Sequence, residues 1–297
     1  MTDAGSRLRV TTGASSLAVW WPVLLGLSVL FLPLYYDLAR GPWQSEDYAH
    51  GPIVLAVSGY LIWRARHALL EVANAKPQPV LGWVTLVFGL LLFALGRSQH
   101  IFILEVSSQL PILLGVLLAT IGIRAVRAVW FPLFFLLFTV PLPGFVVDAT
   151  TGPLKQYISE IAEHVLYALG YPIARAGVVL QVGSYQLLVA DACSGLHSMF
   201  SLSGMGLLYL YLMQHTSRLR NVLLIASILP IAFFANVIRV MVLVLVTYHF
   251  GDEAGQGFFH GAAGVLLFVF GLLLLFALDG LLGFVFPDRS RAADMSR

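Results

Sequence analysis

The sequence predicts an all-α polytopic membrane protein of about eight transmembrane helices, with an interfacial amphipathic helix and a short extracytoplasmic extended segment. Three observations predict it. Apolar runs of about 20 residues recur along the whole 297-residue chain, and such a run spans a hydrocarbon core of about 30 Å as a helix. The chain is 59% hydrophobic and 11% charged, against about 25% charged in a soluble domain. Lys and Arg fall unevenly between alternate connecting segments, as the positive-inside rule requires of a multi-span protein.

Residues 1–16 read as a polar cytoplasmic tail with Arg7 and Arg9. The first span covers about 17–36 and shows no small-residue cleavage site, so it reads as a retained anchor. The second covers about 51–66, the third about 80–96 and the fourth about 101–123, with Glu105 near one end. The fifth, about 128–147, holds Pro132, Pro141 and Pro143. Such prolines bend or end a membrane helix. Around residues 154–166, Leu154, Ile158, Ile161 and Val165 line one helical face while Lys155, Glu160 and Glu163 lie elsewhere. This is the amphipathic helix. Residues 177–190 are rich in β-branched side chains with a Gly-Ser pair at 183–184, which fits a hairpin or extended segment. The last three spans cover about 193–213, 221–249 (broken by Pro230) and 261–284. Residues 287–297 are a second polar cytoplasmic tail, leaving one transmembrane domain over 17–286, with the candidate functional segments within 148–284.

With the N-terminus inside, twelve of the seventeen Lys and Arg fall on inside segments, four outside, and Arg239 within a span. That arrangement puts Cys193 and His260 at the outer face. No long basic run marks a nucleic-acid site, and no linker marks a second domain. One cysteine excludes an internal disulfide and a cysteine-rich zinc site.

That cysteine, Cys193, stands where a short polar segment meets a long apolar helix. A helix N-terminus favours the thiolate, which is the reactive form. A charge within a span costs about 2.5–3.5 kcal/mol at the bilayer centre, so Arg239, about 15 Å below the outer end of its span at 1.5 Å per residue, wants an anionic partner. The Cys193 thiolate, a negative transition state, Glu105 and Asp191 all qualify. Pairing with Glu105 would make Arg239 a purely structural lock between helices. His260 opens the last span; an imidazole there can deprotonate a thiol and protonate a leaving amine. His197 follows Cys193 by four residues and offers a local dyad instead. His249, Asp252, Glu253 and His260 fit no strong zinc spacing. No metal or organic cofactor is expected.

The segment Ala-Asp-Ala-Cys-Ser-Gly-Leu (190–196), then Asn-Val-Ile-Arg-Val (236–240) and Phe-Phe-His-Gly (258–261), resembles the exosortase/archaeosortase family of multipass cysteine transpeptidase-like enzymes, which carry Cys, Arg and His in this order. Trp43 with Tyr-Ala-His-Gly (48–51), the arginines after Trp63, Phe-Pro-Leu (131–133) and Val-Pro-Leu-Pro (140–143) extend the likeness over about residues 43–284. Asp191 stands where the family often has Glu, and His197 where several subtypes have Arg or another residue. The resemblance implies Cys193 as nucleophile, His260 as general acid/base and Arg239 as oxyanion or thiolate stabiliser. His197, Asp191 and Asn236 are candidates for supporting roles. It also implies a bacterial inner membrane location, with an extracytoplasmic site. The implied substrates are exported proteins ending in a Pro-Glu-Pro-type motif, a membrane helix and a basic tail, with the acceptor nucleophile open. Two other classes stay open on the residues alone. One is a transporter or channel lined by Arg239 and Glu105; the other is a membrane assembly protein in which Cys193 is packing.

Overall fold

A computed structural model describes residues 15–45, 48–72, 76–141, 144–188, 195–251 and 258–286. Cys193, Asp191, Asp252, Glu253 and both terminal tails lie outside the described residues, as do the side chains of His197 and His260. The helices are α1 (Ser15–Arg40), α2 (Gly51–Arg64), α3 (Arg66–Glu71), α4 (Pro79–Gln99), α5 (Phe102–Ser107), α6 (Gln109–Thr120), α7 (Ile123–Ala128), α8 (Trp130–Phe135), α9 (Gly144–Ala168), α10 (Gly195–Met213), α11 (Arg218–Phe250) and α12 (Phe258–Val285). Short 3-10 turns cover Pro42–Gln44 and Leu136–Thr139.

The chain is a helical membrane protein, but the count of eight spans is not reproduced as such. Five described helices are long and apolar enough to cross a membrane: Trp20–Arg40, Pro79–Gln99, Phe102–Thr120, Arg218–Phe250 and Phe268–Val285. Gly51–Arg64, Trp130–Thr139 and Met199–Met213 are apolar but shorter. The expected fifth span stops at Thr139 because Val140 turns extended ahead of Pro141.

Helix α4 shows how these helices pair. Val80, Val84, Val87 and Leu91 are exposed on one face, while Gly82, Gly89 and Gly96 are buried on the other. A Cβ at Gly89 would stand 2.8 Å from the Ile112 backbone nitrogen, and one at Gly96 2.5 Å from that of Glu105. From the opposite side, a Cβ at Gly115 would stand 2.6 Å from the Leu86 nitrogen. Lipid tails are as apolar as leucine, so close backbone approach across small residues holds the pair together. A buried polar ladder ties in the neighbours. The Tyr35 hydroxyl donates to Gln109 Oε1 at 3.0 Å, and Gln109 Nε2 donates to Thr139 Oγ1 at 2.7 Å.

The extended segment expected over 177–190 is a hairpin that turns at Gly183-Ser184, and a further strand before it makes a three-stranded antiparallel sheet, β1 (Ile173–Ala176), β2 (Val179–Val182) and β3 (Tyr185–Leu188), in the order β1-β2-β3. The register Ala176↔Val179 and Val182↔Tyr185 leaves the two-residue loops Gly177-Val178 and Gly183-Ser184. Both begin with a glycine at positive φ, 65° and 57°. Tight hairpins require that conformation, and glycine adopts it without a Cβ penalty. Leu180, Val182, Leu187 and Ile173 bury one face of the sheet against Ile158, Ala162 and Leu166 of α9 and Val237, Val240 and Val244 of α11. The expected stripe on α9 is thus rotated: Leu154 and Ile161 flank it, and Val165 is exposed. The sheet clothes one end of α11, where Tyr171 contacts Tyr248 edge-on at 5.5 Å.

Candidate active site

Three helices bear on the chemistry. Residues 189–194, which include Cys193, link β3 to α10; Arg239 is on α11; His260 is the third residue of α12. Nothing described gives the contacts of the Cys193 sulfur or the His260 ring. The axial register of the helices is fixed, however, by side chains farther along.

Helices α11 and α12 run antiparallel and are locked at the end remote from the sheet. Arg220 Nη2 lies 2.7 Å from Asp279 Oδ1, and Leu224 and Leu275 share one buried cluster a turn farther on. Nineteen residues along α11 from Arg220 is Arg239, and nineteen residues back along α12 from Asp279 is His260. Both helices rise about 1.5 Å per residue, so the two positions stand at one level, about 29 Å from the lock. Helix α10 gives a second register. A Cβ at Gly206 would stand 2.8 Å from Ile228 Cδ1. Eleven residues toward the sheet end from that pair lie Gly195 and Arg239. A third register pairs Leu202 with Gly271, at 2.7 Å from a Cβ there, and puts Gly195 about 6 Å inward of His260. All three agree to about one helical turn. The first described residue of α10, two after Cys193, is therefore level with Arg239 and within a turn of His260.

This register relates the two candidate positions to the ends of their helices. The sequence sets Arg239 far below the end of its span and His260 at the mouth of the next. Helix α11 in fact overshoots α12: it continues eleven residues past Arg239 to Phe250, whereas α12 begins two residues before His260. The overshooting end is the part that the sheet covers.

Arg239 is buried, at 3% exposure, and so are Asn236 one turn away and Thr247 two turns the other way on the same face. The Asn236 amide, fully buried, has no hydrogen-bond partner among the described residues. Glu105 does not pair with Arg239. Its carboxylate takes Arg97 Nη1 at 3.1 Å, and the same nitrogen donates to Asp37 Oδ2 at 2.6 Å. The structural lock through a Glu105–Arg239 pair is therefore not formed among the described residues.

His197 is the third residue of α10. Among the described residues no group of three His, Cys, Asp or Glu stands close enough to hold a metal. His249 instead packs edge-on against Tyr248 and Tyr171. A cavity of about 300 Å³ opens between α2, the Leu136–Thr139 turn, α10 and α12, with Ile53, Val57, Phe138, Met205 and Phe268 among its walls. These walls suit aliphatic groups, not ions. At its edge His50 Nε2 lies 3.0 Å from the Phe138 carbonyl oxygen.

Sequence reasoning passed over the lock itself. Asp279 Oδ1 accepts from Arg220 Nε at 2.7 Å, Oδ2 accepts from the Tyr209 hydroxyl at 2.5 Å, and His215 Nε2 lies 3.1 Å from Oδ1. The signal was present: Asp279 is the only charged residue in the apolar run 261–284.

Comparison with curated proteins and with solved structures finds no match. Comparison with protein-family models matches residues 43–277 to the transmembrane exosortase model. That match spans most of the chain and takes in α10, α11 and α12 as far as residue 277, so this protein belongs to the transmembrane exosortase family.

Proposed function

We propose that the chain is a membrane-embedded cysteine peptidase or transpeptidase that removes the C-terminal sorting tail of exported proteins. The family is generally one of sorting-related cysteine transpeptidases. The observation that carries the reading for this chain is the shared level of Arg239, position 260 and the start of α10.

In this reading the Cys193 thiolate attacks the carbonyl carbon of the scissile peptide. The negative oxygen of the tetrahedral intermediate is stabilised by the Arg239 guanidinium, held in a dry setting where such a charge acts strongly. The C–N bond breaks, and the leaving amine of the tail takes a proton from the His260 imidazolium. The upstream fragment stays on Cys193 as a thioester. Water or an acceptor amine then attacks the thioester, giving its proton to His260 and restoring the thiolate. His197 and Asp191 flank the nucleophile in sequence, and Asn236 supports Arg239 from the adjacent turn.

In this reading the chain crosses the bacterial inner membrane eight times, the three shorter apolar helices doing so together with the residues that adjoin them. The N- and C-termini lie in the cytoplasm and the site lies on the extracytoplasmic side, as the Lys and Arg bias argues. A substrate with a Pro-Glu-Pro-type motif, one membrane helix and a basic end then presents its motif at the level of Cys193.

The test is co-expression with a tail-bearing exported protein, followed by mass spectrometry of its new C-terminus. The wild-type chain is expected to yield a shortened product, free or carrying an acceptor, and Cys193→Ala none. Equal processing by both chains would overturn the reading.

A further inference from the structure

Between residues 258 and 285, α12 is built of Gly, Ala, Val, Leu and Phe except at two positions, His260 and Asp279. Apolar packing in lipid is a poor guide to axial position. A leucine face meets another leucine face nearly as well one turn away, and no hydrophobic force drives helices together there. Beside the close contacts at Gly206 and Gly271, directional bonds choose one register, and among the described residues of α12 those bonds converge on Asp279. Its carboxylate gathers Arg220 of α11, Tyr209 of α10 and His215 of the connection between those two helices. Arg220 Nη2 also donates to the Asp279 backbone oxygen at 3.0 Å, fixing the main chain as well as the side chain. The cluster is buried, with Asp279 5% and Arg220 6% exposed. Buried ionic groups are weak stabilisers, and setting register is their best-attested use. The family match ends at residue 277, so membership does not assign Asp279 a part.

We infer that Asp279 is a positioning residue for the reaction. By binding Tyr209 and Arg220 it sets the axial register of α10, α11 and α12, and so the level at which Cys193, Arg239 and His260 meet about 29 Å away. The inference rests on the reading given under Proposed function. Its physical demand is strict: a slip of one residue moves a helix position about 1.5 Å along the axis and turns it about 100°, and misplacement of about 1 Å can cost about 100-fold in rate.

Two readouts test it on the full-length chain in membranes. Register is read without activity, in a Cys193→Ser background, by oxidative cross-linking of Leu224→Cys with Leu272→Cys, Leu275→Cys or Leu278→Cys in turn. The expected pattern is one dominant cross-link, at 275. Asp279→Asn should spread cross-linking to 272 or 278, and the exchange Arg220→Asp with Asp279→Arg should restore the single site. Activity is read with Cys193 intact. Asp279→Asn should lower kcat for tail removal about 100-fold with KM little changed, and the exchange should recover most of it. An unchanged cross-linking pattern in Asp279→Asn, or loss of rate that the exchange fails to recover while restoring the pattern, would overturn the inference. A wild-type chain that removes no tail would overturn the functional reading instead, and the cross-linking pattern would still decide whether Asp279 sets the register.

Discussion

Arg220 and Asp279 stand 2.7 Å apart in the protein interior, and each is nineteen residues along its own helix from a candidate catalytic position, Arg239 and His260. Two antiparallel helices clamped at one end thus carry their two functional positions to the same height at the other. Four predictions follow from that arrangement and from the packing around it.

The guanidinium of Arg239 is expected to act in the transition state more than in binding. Arg239→Gln should lower kcat about 100-fold or more, the loss typical of one oxyanion donor, with KM little changed. Arg239→Lys should recover only part, because a point charge does not reproduce a planar fork of donors. Steady-state kinetics on a tail-bearing peptide in detergent measure both. A rise in KM alone would mark Arg239 as a binding group.

Position 260, not 197, is expected to supply the acid and base. His260→Ala should abolish tail removal, while His197→Ala should retain it. Position 260 is level with Arg239 and matches the family's order of Cys, Arg and His, whereas His197, within a turn of the same level, has no counterpart in that order. Activity that survives loss of His260 but not of His197 would replace the three-helix site with a local dyad.

Glu105→Gln is expected to leave tail removal intact. Glu105 is buried at the far end of a bridge to Arg97 and Asp37, away from Arg239. The change should show only as a modest loss of thermal stability, since Arg97 is half-exposed and keeps Asp37. Loss of activity with unchanged stability would reconnect Glu105 to the site.

At the glycine seam of α4, Gly89→Leu and Gly115→Leu are expected to unseat α6. Each Cβ would come within 2.8 Å of backbone on the facing helix, and backbone cannot rotate away as a side chain can. A cost of at least 1–3 kcal/mol is typical of overpacking. Thermal melting in detergent checks it, with Gly26→Leu, where a Cβ meets nothing within 4 Å, as the control.

Much of this arrangement is legible in the residues. The apolar runs locate the helices, because twenty apolar residues in a row have few other uses. The motifs around Cys193, Arg239 and His260 point to the family. Three things resist such reading. The first strand, 173–176, is hidden because it is only four residues long with a single β-branched side chain, whereas the Gly-Ser pair at 183–184 marks the hairpin that follows it. The shared level of Arg239 and His260 escapes such reading because hydropathy measures each helix separately, and the overshoot of α11 beyond α12 is a relation between two helices. Asp279 is visible as a lone charge, but its partners Tyr209, His215 and Arg220 lie in two other segments that no spacing rule connects.

The most direct measurement is peptide mapping of the acid-quenched protein from cells making a tail-bearing substrate. The peptide containing Cys193 is expected to carry the upstream substrate fragment through a bond that neutral hydroxylamine cleaves, and Cys193→Ser to carry none. Tail removal that continues in Cys193→Ser, with no such adduct on the wild-type chain, would contradict the proposed chemistry at its centre.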